Sequence, residues 1–63
     1  MPPFVEITVV IILLRENTNS KLTLREKISV QYPVSSCSVR TSVETFISAN
    51  FPEWVTLEYA TTQ

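Results

Sequence analysis

The sequence predicts an α+β fold of order β-β-α-β, with one helix packed on one face of a mixed sheet. Apolar side chains alternate with a period of two in residues 4–14, 22–32 and 54–60, and follow a helical period between the last two of these segments. A chain of 63 residues suits a single small domain, residues 1–63. Domains this small are marginally stable alone and often depend on a second subunit.

The first segment, "FVEITVVIILL" at residues 4–14, is dense in β-branched side chains, which favours a strand. Its odd-numbered face is apolar throughout: Val5, Ile7, Val9, Ile11 and Leu13. The even-numbered face begins with Phe4, Glu6 and Thr8 and ends with Val10, Ile12 and Leu14. We predict a central strand with the odd face on the core. Val10, Ile12 and Leu14 then need another cover, so they are the candidate partner-binding residues.

A turn is predicted at residues 15–21, "RENTNSK", where Asn tolerates the positive φ that tight turns require. The second strand, about residues 22–32, shows the clearest alternation in the chain and should pair back onto the first. Its even-numbered residues are expected to face the core: they are Leu22, Leu24, Ile28, Val30 and Tyr32, interrupted by Glu26. Pro33 ends this strand.

A helix is predicted over about residues 38–50, because Val39, Val43, Phe46, Ile47 and Phe51 fall on one helical face. Two starts compete: Ser36 or Ser38 as N-cap, or a capping box at residues 41–44, "TSVE". Pro52 stops the helix.

A third strand follows at about residues 54–60, with a frayed tail at 61–63. Coming after a helix, it is expected to pair in parallel with the first strand through a right-handed crossover. This arrangement would be a partial β-grasp, the front half of the ubiquitin-like fold.

Three segments resemble one family within that fold: "VEITVVIILLRE" (5–16), "KISVQYP" (27–33) and "SVRTSVETFISANFPEW" (38–54). They are similar to the small, sulfur-carrier subunit of molybdopterin synthase, in which a helix of the type T-V-x-x-L exits through Y-P-x-L. Ser42-Val43 would correspond to T-V, and residues 51–54, "FPEW", to the exit. The resemblance implies a protein that inserts its C-terminal tail into a large catalytic subunit.

Family members carry sulfur on a C-terminal Gly-Gly, whereas this chain has no glycine and ends at Gln63. The expectation is therefore a non-catalytic small interaction protein of the cytoplasm. By the resemblance, it would be a shortened molybdopterin-synthase-type subunit that cannot carry sulfur itself. Its partner would be a large synthase-type subunit or a second copy of the chain. The alternative is an unrelated small viral or regulatory inhibitor that binds through its sheet face. A third hypothesis is a small enzyme that uses the thiol of Cys37.

Composition argues against several other functions. Five Lys and Arg residues form no dense patch in the sequence, which disfavours a nucleic-acid partner. Without glycine, no phosphate-cradling loop can form. With no His and one Cys, neither a metal site, a cofactor site nor a catalytic residue is predicted, and the chain is not expected to be an enzyme. The apolar run at residues 4–14 is too short to span a membrane.

Overall fold

A computed structural model describes residues 3–62 of the chain. It contains β1 (Phe4–Arg15), β2 (Lys21–Gln31), α1 (Ser36–Asn50) and β3 (Trp54–Thr62). The predicted order β-β-α-β is confirmed. One prediction about the ends is wrong, because Thr61 and Thr62 belong to β3 and pair with β1 instead of forming a frayed tail. Gln63, the last residue of the predicted tail, lies outside the described residues.

β1 and β2 form an antiparallel hairpin whose register runs from Phe4 opposite Gln31 to Leu14 opposite Lys21. In the connection between them, Asn17 has φ 64°, the left-handed conformation that Asn tolerates better than most residues. The hydroxyl of Thr18 donates to the carbonyl of Arg15 at 3.0 Å and accepts from the amide of Ser20 at 3.1 Å. Side-chain bonding of this kind closes the turn without glycine.

The helix begins earlier than either predicted start. Ser35 is the N-cap, and its Oγ accepts from the amide of Ser38 at 3.0 Å, while Ser38 Oγ accepts from the amide of Ser35 at 2.8 Å. Ser38 thus takes the place that Glu or Gln has in the usual capping box. The box predicted at residues 41–44 is wrong, because these residues lie inside the helix.

The sheet has the order β2-β1-β3, and β1 is antiparallel to both of its neighbours. The predictions of a parallel β1–β3 pair and a mixed sheet are therefore wrong, and the partial β-grasp, which depends on that pair, loses its basis. The reason is the direction of the chain. The α1 segment with its two connections returns the chain to the direction of β2, so β3 runs opposite to β1.

β3 contains a bulge. Its register shifts between Ile12, which lies opposite Glu58, and Leu13, which lies opposite Thr56, so Leu57 is the extra residue. A strand with strict alternation would place Trp54 and Tyr59 on opposite faces. The bulge allows both rings to pack against the core, and the prediction of unbroken alternation in this strand is wrong.

The core lies between α1 and one face of the sheet. Its buried side chains come from all three of β1, β2 and α1: Val9, Ile11, Leu13, Ile28, Val30, Val39, Val43 and Ile47. These residues lie on the predicted helical face and on most of the odd-numbered face of β1. Val5 departs from the prediction, since it is 37% exposed near the start of β1, and Tyr32 is exposed because β2 ends one residue before it.

Candidate protein-interaction surface

The three predicted partner-binding residues, Val10, Ile12 and Leu14, lie together on the face of β1 that points away from the core. Each is half-buried, whereas their neighbours Val9, Ile11 and Leu13 are completely buried. Within residues 3–62, α1 is the one helix, and its buried residues join the opposite face of the sheet. No described helix or strand therefore covers these three side chains.

Residues opposite one another on neighbouring strands share a face of the sheet. Ile12 lies between Thr23 of β2 and Glu58 of β3, and Leu14 lies between Lys21 and Val55. We call this surface the open face, defined by Val10, Ile12 and Leu14 of β1, by Lys21, Thr23, Arg25 and Lys27 of β2, and by Val55, Glu58 and Ala60 of β3. It has an apolar central column, a polar flank on β2, and a flank on β3 in which Glu58 lies between Val55 and Ala60.

The two flanks of the open face carry charges of opposite sign. Lys21, Arg25 and Lys27 alternate along β2, and all three point to this side of the sheet, opposite Leu14, Val10 and Thr8. The β3 flank carries Glu58. Three of the five basic residues of the chain thus lie in one column, which their wide spacing in the sequence conceals.

Sequence reasoning missed the contribution of β3 to this surface. Val55 is 43% exposed and lies beside Leu14, so it widens the apolar column at this end. Parallel pairing of β3 would have given a different set of neighbours. One signal in the sequence pointed to the bulge: two aromatic residues, Trp54 and Tyr59, have opposite parity in one short strand.

The aromatic residues near the end of α1 lie against the core, whereas Glu44 and Cys37 are exposed on the helix. Trp54 and Phe51 pack against the core, and the rings of Phe51 and Phe46 lie 6.2 Å apart at 51°. Glu44 is exposed on α1. Cys37 is an exposed free thiol in the first turn of α1. In the described part of the chain, no three His, Cys, Asp or Glu residues come close enough to hold a metal ion.

The structure also bears on the membrane question in one respect. Among residues 3–62, no helix has both the length and the apolar character needed to cross a bilayer.

The fold and the open face together define a small α+β protein with a three-stranded antiparallel sheet that is covered by a helix on one side. Comparison of the chain with protein-family models, with curated proteins and with solved structures finds no match.

Proposed function

We propose that this chain is a non-catalytic interaction protein that associates with a second copy of itself through the open face. The observation that carries this proposal is the apolar column of Val10, Ile12 and Leu14, which no described element covers although it lies at the centre of the sheet. Contiguous apolar surface of this kind usually marks an interaction site. In a chain of 63 residues, a second subunit would also add to a small core.

The charges on the flanks favour a second copy in one particular arrangement. In this arrangement the open faces of two copies stack on each other, and the two-fold axis lies between the sheets and runs parallel to β1. The β2 flank of each copy then lies over the β3 flank of the other. Residues at the same level of the two sheets face each other, so Glu58 of one copy faces Thr23 of the other and lies between its Arg25 and Lys21. The apolar columns face each other at the centre, and opposite charges meet twice because the contact is isologous.

The alternative two-fold axis, across the strands, lays β2 over β2. Lys21, Arg25 and Lys27 of the two copies would then meet like charges, which opposes association. The distribution of charge on this face therefore selects the first arrangement.

Sedimentation velocity over a dilution series tests the association directly. The wild-type chain is expected to dissociate on dilution. Arg25→Glu and Glu58→Lys should each raise the dissociation constant about threefold to tenfold, since each places like charges together at the rim. The double variant Arg25→Glu/Glu58→Lys restores one pair of opposite charges across the contact, while Lys21 is unchanged, and should recover part of the wild-type affinity.

Glu16→Lys is the matched control for Glu58→Lys, because it makes the same change of charge at an exposed residue of the β1–β2 connection, outside the open face. It should dimerise like the wild type. A wild-type chain that stays monomeric at every concentration and melts cooperatively would contradict the proposed self-association.

In that event the occupant of the open face is a different protein, and capture from a cell extract with wild type and Ile12→Glu identifies it. Recovery of a molybdopterin-synthase large subunit by the wild type alone would support the hypothesis of a shortened sulfur-carrier-type subunit. Specific recovery of another target protein would support the hypothesis of a small viral or regulatory inhibitor.

A further inference from the structure

A second surface lies at the outer edge of β2, where a groove of about 750 Å³ separates this strand from α1. On the helix side it is lined by Ser38, Thr41, Thr45 and Phe46. Small hydroxyl-bearing side chains keep this wall shallow, and Phe46 provides an apolar floor. The groove is separate from Val10, Ile12 and Leu14, none of which lines it.

The strand side of the groove shows which part of β2 faces it. Three consecutive residues, Lys27, Ile28 and Ser29, all line the cavity. Successive side chains of a strand point to opposite faces of the sheet, so a cavity that contacts all three must lie along the edge of the strand. β2 is the terminal strand of the order β2-β1-β3, and within residues 3–62 no other strand pairs with this edge.

We propose that this groove binds an extended segment of a partner protein by β-strand addition, and that the segment carries carboxylates at alternate positions. An unpaired strand edge presents backbone N–H and C=O groups that an incoming strand can bond, and side-chain pockets beside it supply specificity. Here the pockets on the helix side are formed by Ile28, Phe46 and Thr45, which suit small apolar side chains.

The preference for carboxylates follows from the charge along the edge. Among the described residues that line the groove, Lys27 is the only charged one. Arg25 and Lys21 continue the same column beyond the groove, on the same face of β2. An added strand places every second side chain beside this basic column, where Glu or Asp is attracted and Lys or Arg is repelled.

The same column disfavours a second copy as the occupant. Pairing of β2 with β2 of another copy would bring two basic columns side by side, and edge lysines commonly protect strands from pairing of this kind. The edge of β2 is therefore suited to a partner of different sequence, whereas the open face is suited to a second copy.

A synthetic peptide tests the proposal without knowledge of the natural partner. The probe is a fluorescein-labelled heptapeptide, Val-Glu-Val-Glu-Val-Glu-Val, and the matched control has Lys in place of each Glu. Fluorescence anisotropy should show that the Glu peptide binds at least about fivefold more tightly at low salt, with the difference shrinking as salt screens the charges. Amide chemical shifts should change at residues 27–31 of β2 and at Thr41 and Thr45 of α1.

Two variants separate groove binding from general charge attraction. Lys27→Glu should greatly reduce the preference for the Glu peptide, because Lys27 is the charged residue that lines the groove, while Arg25 and Lys21 remain beyond it. Thr45→Trp should fill the groove and abolish binding, because Thr45 is an exposed groove residue whose replacement leaves the core intact. Glu44→Trp is the control for an added indole on α1, since Glu44 does not line this groove, and it should bind the Glu peptide like the wild type.

Equal affinity for the Glu and Lys peptides, or no binding of either, would overturn the proposal. So would chemical-shift changes centred on Val10, Ile12 and Leu14, because the peptide would then occupy the open face. Self-association that is lost in Thr45→Trp but kept in Ile12→Glu would assign the β2 edge to a second copy and would also overturn it.

Discussion

The two faces of β1 carry side chains of similar size and character but have different surroundings. Ile11 is completely buried beneath α1, and its neighbour Ile12 is half-buried on the open face. Each has apolar residues two positions away on its own face. The difference between them is what covers the face: this chain supplies a helix for one face and, in its described residues, nothing for the other. Alternation in a sequence thus identifies a two-sided strand, but not which element covers each side.

The largest loss of stability is expected from a charged side chain on the face of β1 that α1 covers. Ile11→Glu would place a carboxylate among Val9, Leu13 and the helix residues, with no partner of opposite charge in the core cluster. The cost should reach about 4 kcal/mol or more. A domain of this size is stable by roughly 3 to 9 kcal/mol, so we expect loss of the cooperative melting transition. Circular dichroism and urea titration measure this, and a variant that melts like the wild type would show that the face is not core.

A smaller loss of stability is expected when the bulge in β3 is removed, because part of the strand then turns its core-facing side chains to the open face. Deletion of Leu57 removes the bulge, so Trp54 or Tyr59 must leave the core for the open face. Loss of burial for one aromatic ring should cost about 2 kcal/mol. Urea titration should show a lower midpoint with cooperative unfolding retained. Leu57→Ala, which keeps the extra residue, is the control and should have little effect because this side chain is 48% exposed.

A charge on the open face should change association instead of folding. Ile12→Glu leaves the core untouched, so the helix and sheet signals in circular dichroism should persist. Self-association should be lost, because two carboxylates would meet within the apolar contact. Thr8→Glu, on the same face but outside the apolar column, should weaken the dimer less. If Ile11→Glu and Ile12→Glu unfold the chain equally, both faces are core and the open face is not a binding surface.

The smallest change in stability is expected from a substitution that lies on neither face of β1. Cys37→Ser changes an exposed side chain in the first turn of α1, so stability should change by less than about 0.5 kcal/mol. Association through the open face should be unaffected. Complete loss of a biological activity in this variant, with folding and association intact, would favour the hypothesis of a thiol-dependent enzyme.

Much of the architecture could be predicted because the periodicity of apolar residues is a local property. The alternation in β2 and the helical face that begins at Val39 identified both elements, and Pro52 marked the end of the helix. The two-sided character of β1 placed it at the centre of the sheet before its partners were known. The candidate surface at Val10, Ile12 and Leu14 followed from that position alone.

The direction of β3 could not be obtained in the same way, because it depends on how the two connections around α1 reverse the chain. The start of the helix was also missed. Ser38 acts as a hydrogen-bonding partner for Ser35 where a longer side chain is usual, and the stronger capping pattern at residues 41–44 lies inside the helix. The basic column on β2 became apparent only when the register placed it beside the apolar column.

The central position of β1 has a consequence for the order in which the chain folds. β1 meets β2 across a connection of a few residues, whereas β3 reaches β1 only after the whole of α1 has been added. Closing the longer loop costs more entropy, and contacts between distant residues form more slowly. The hairpin should therefore form first and β3 should dock last.

In native-state hydrogen exchange, the amides of β3 should open at lower free energy than those of β1 and β2. Transient release of β3 would bare one side of β1, and the run from Val9 to Leu14 would then be the segment most prone to intermolecular strand pairing.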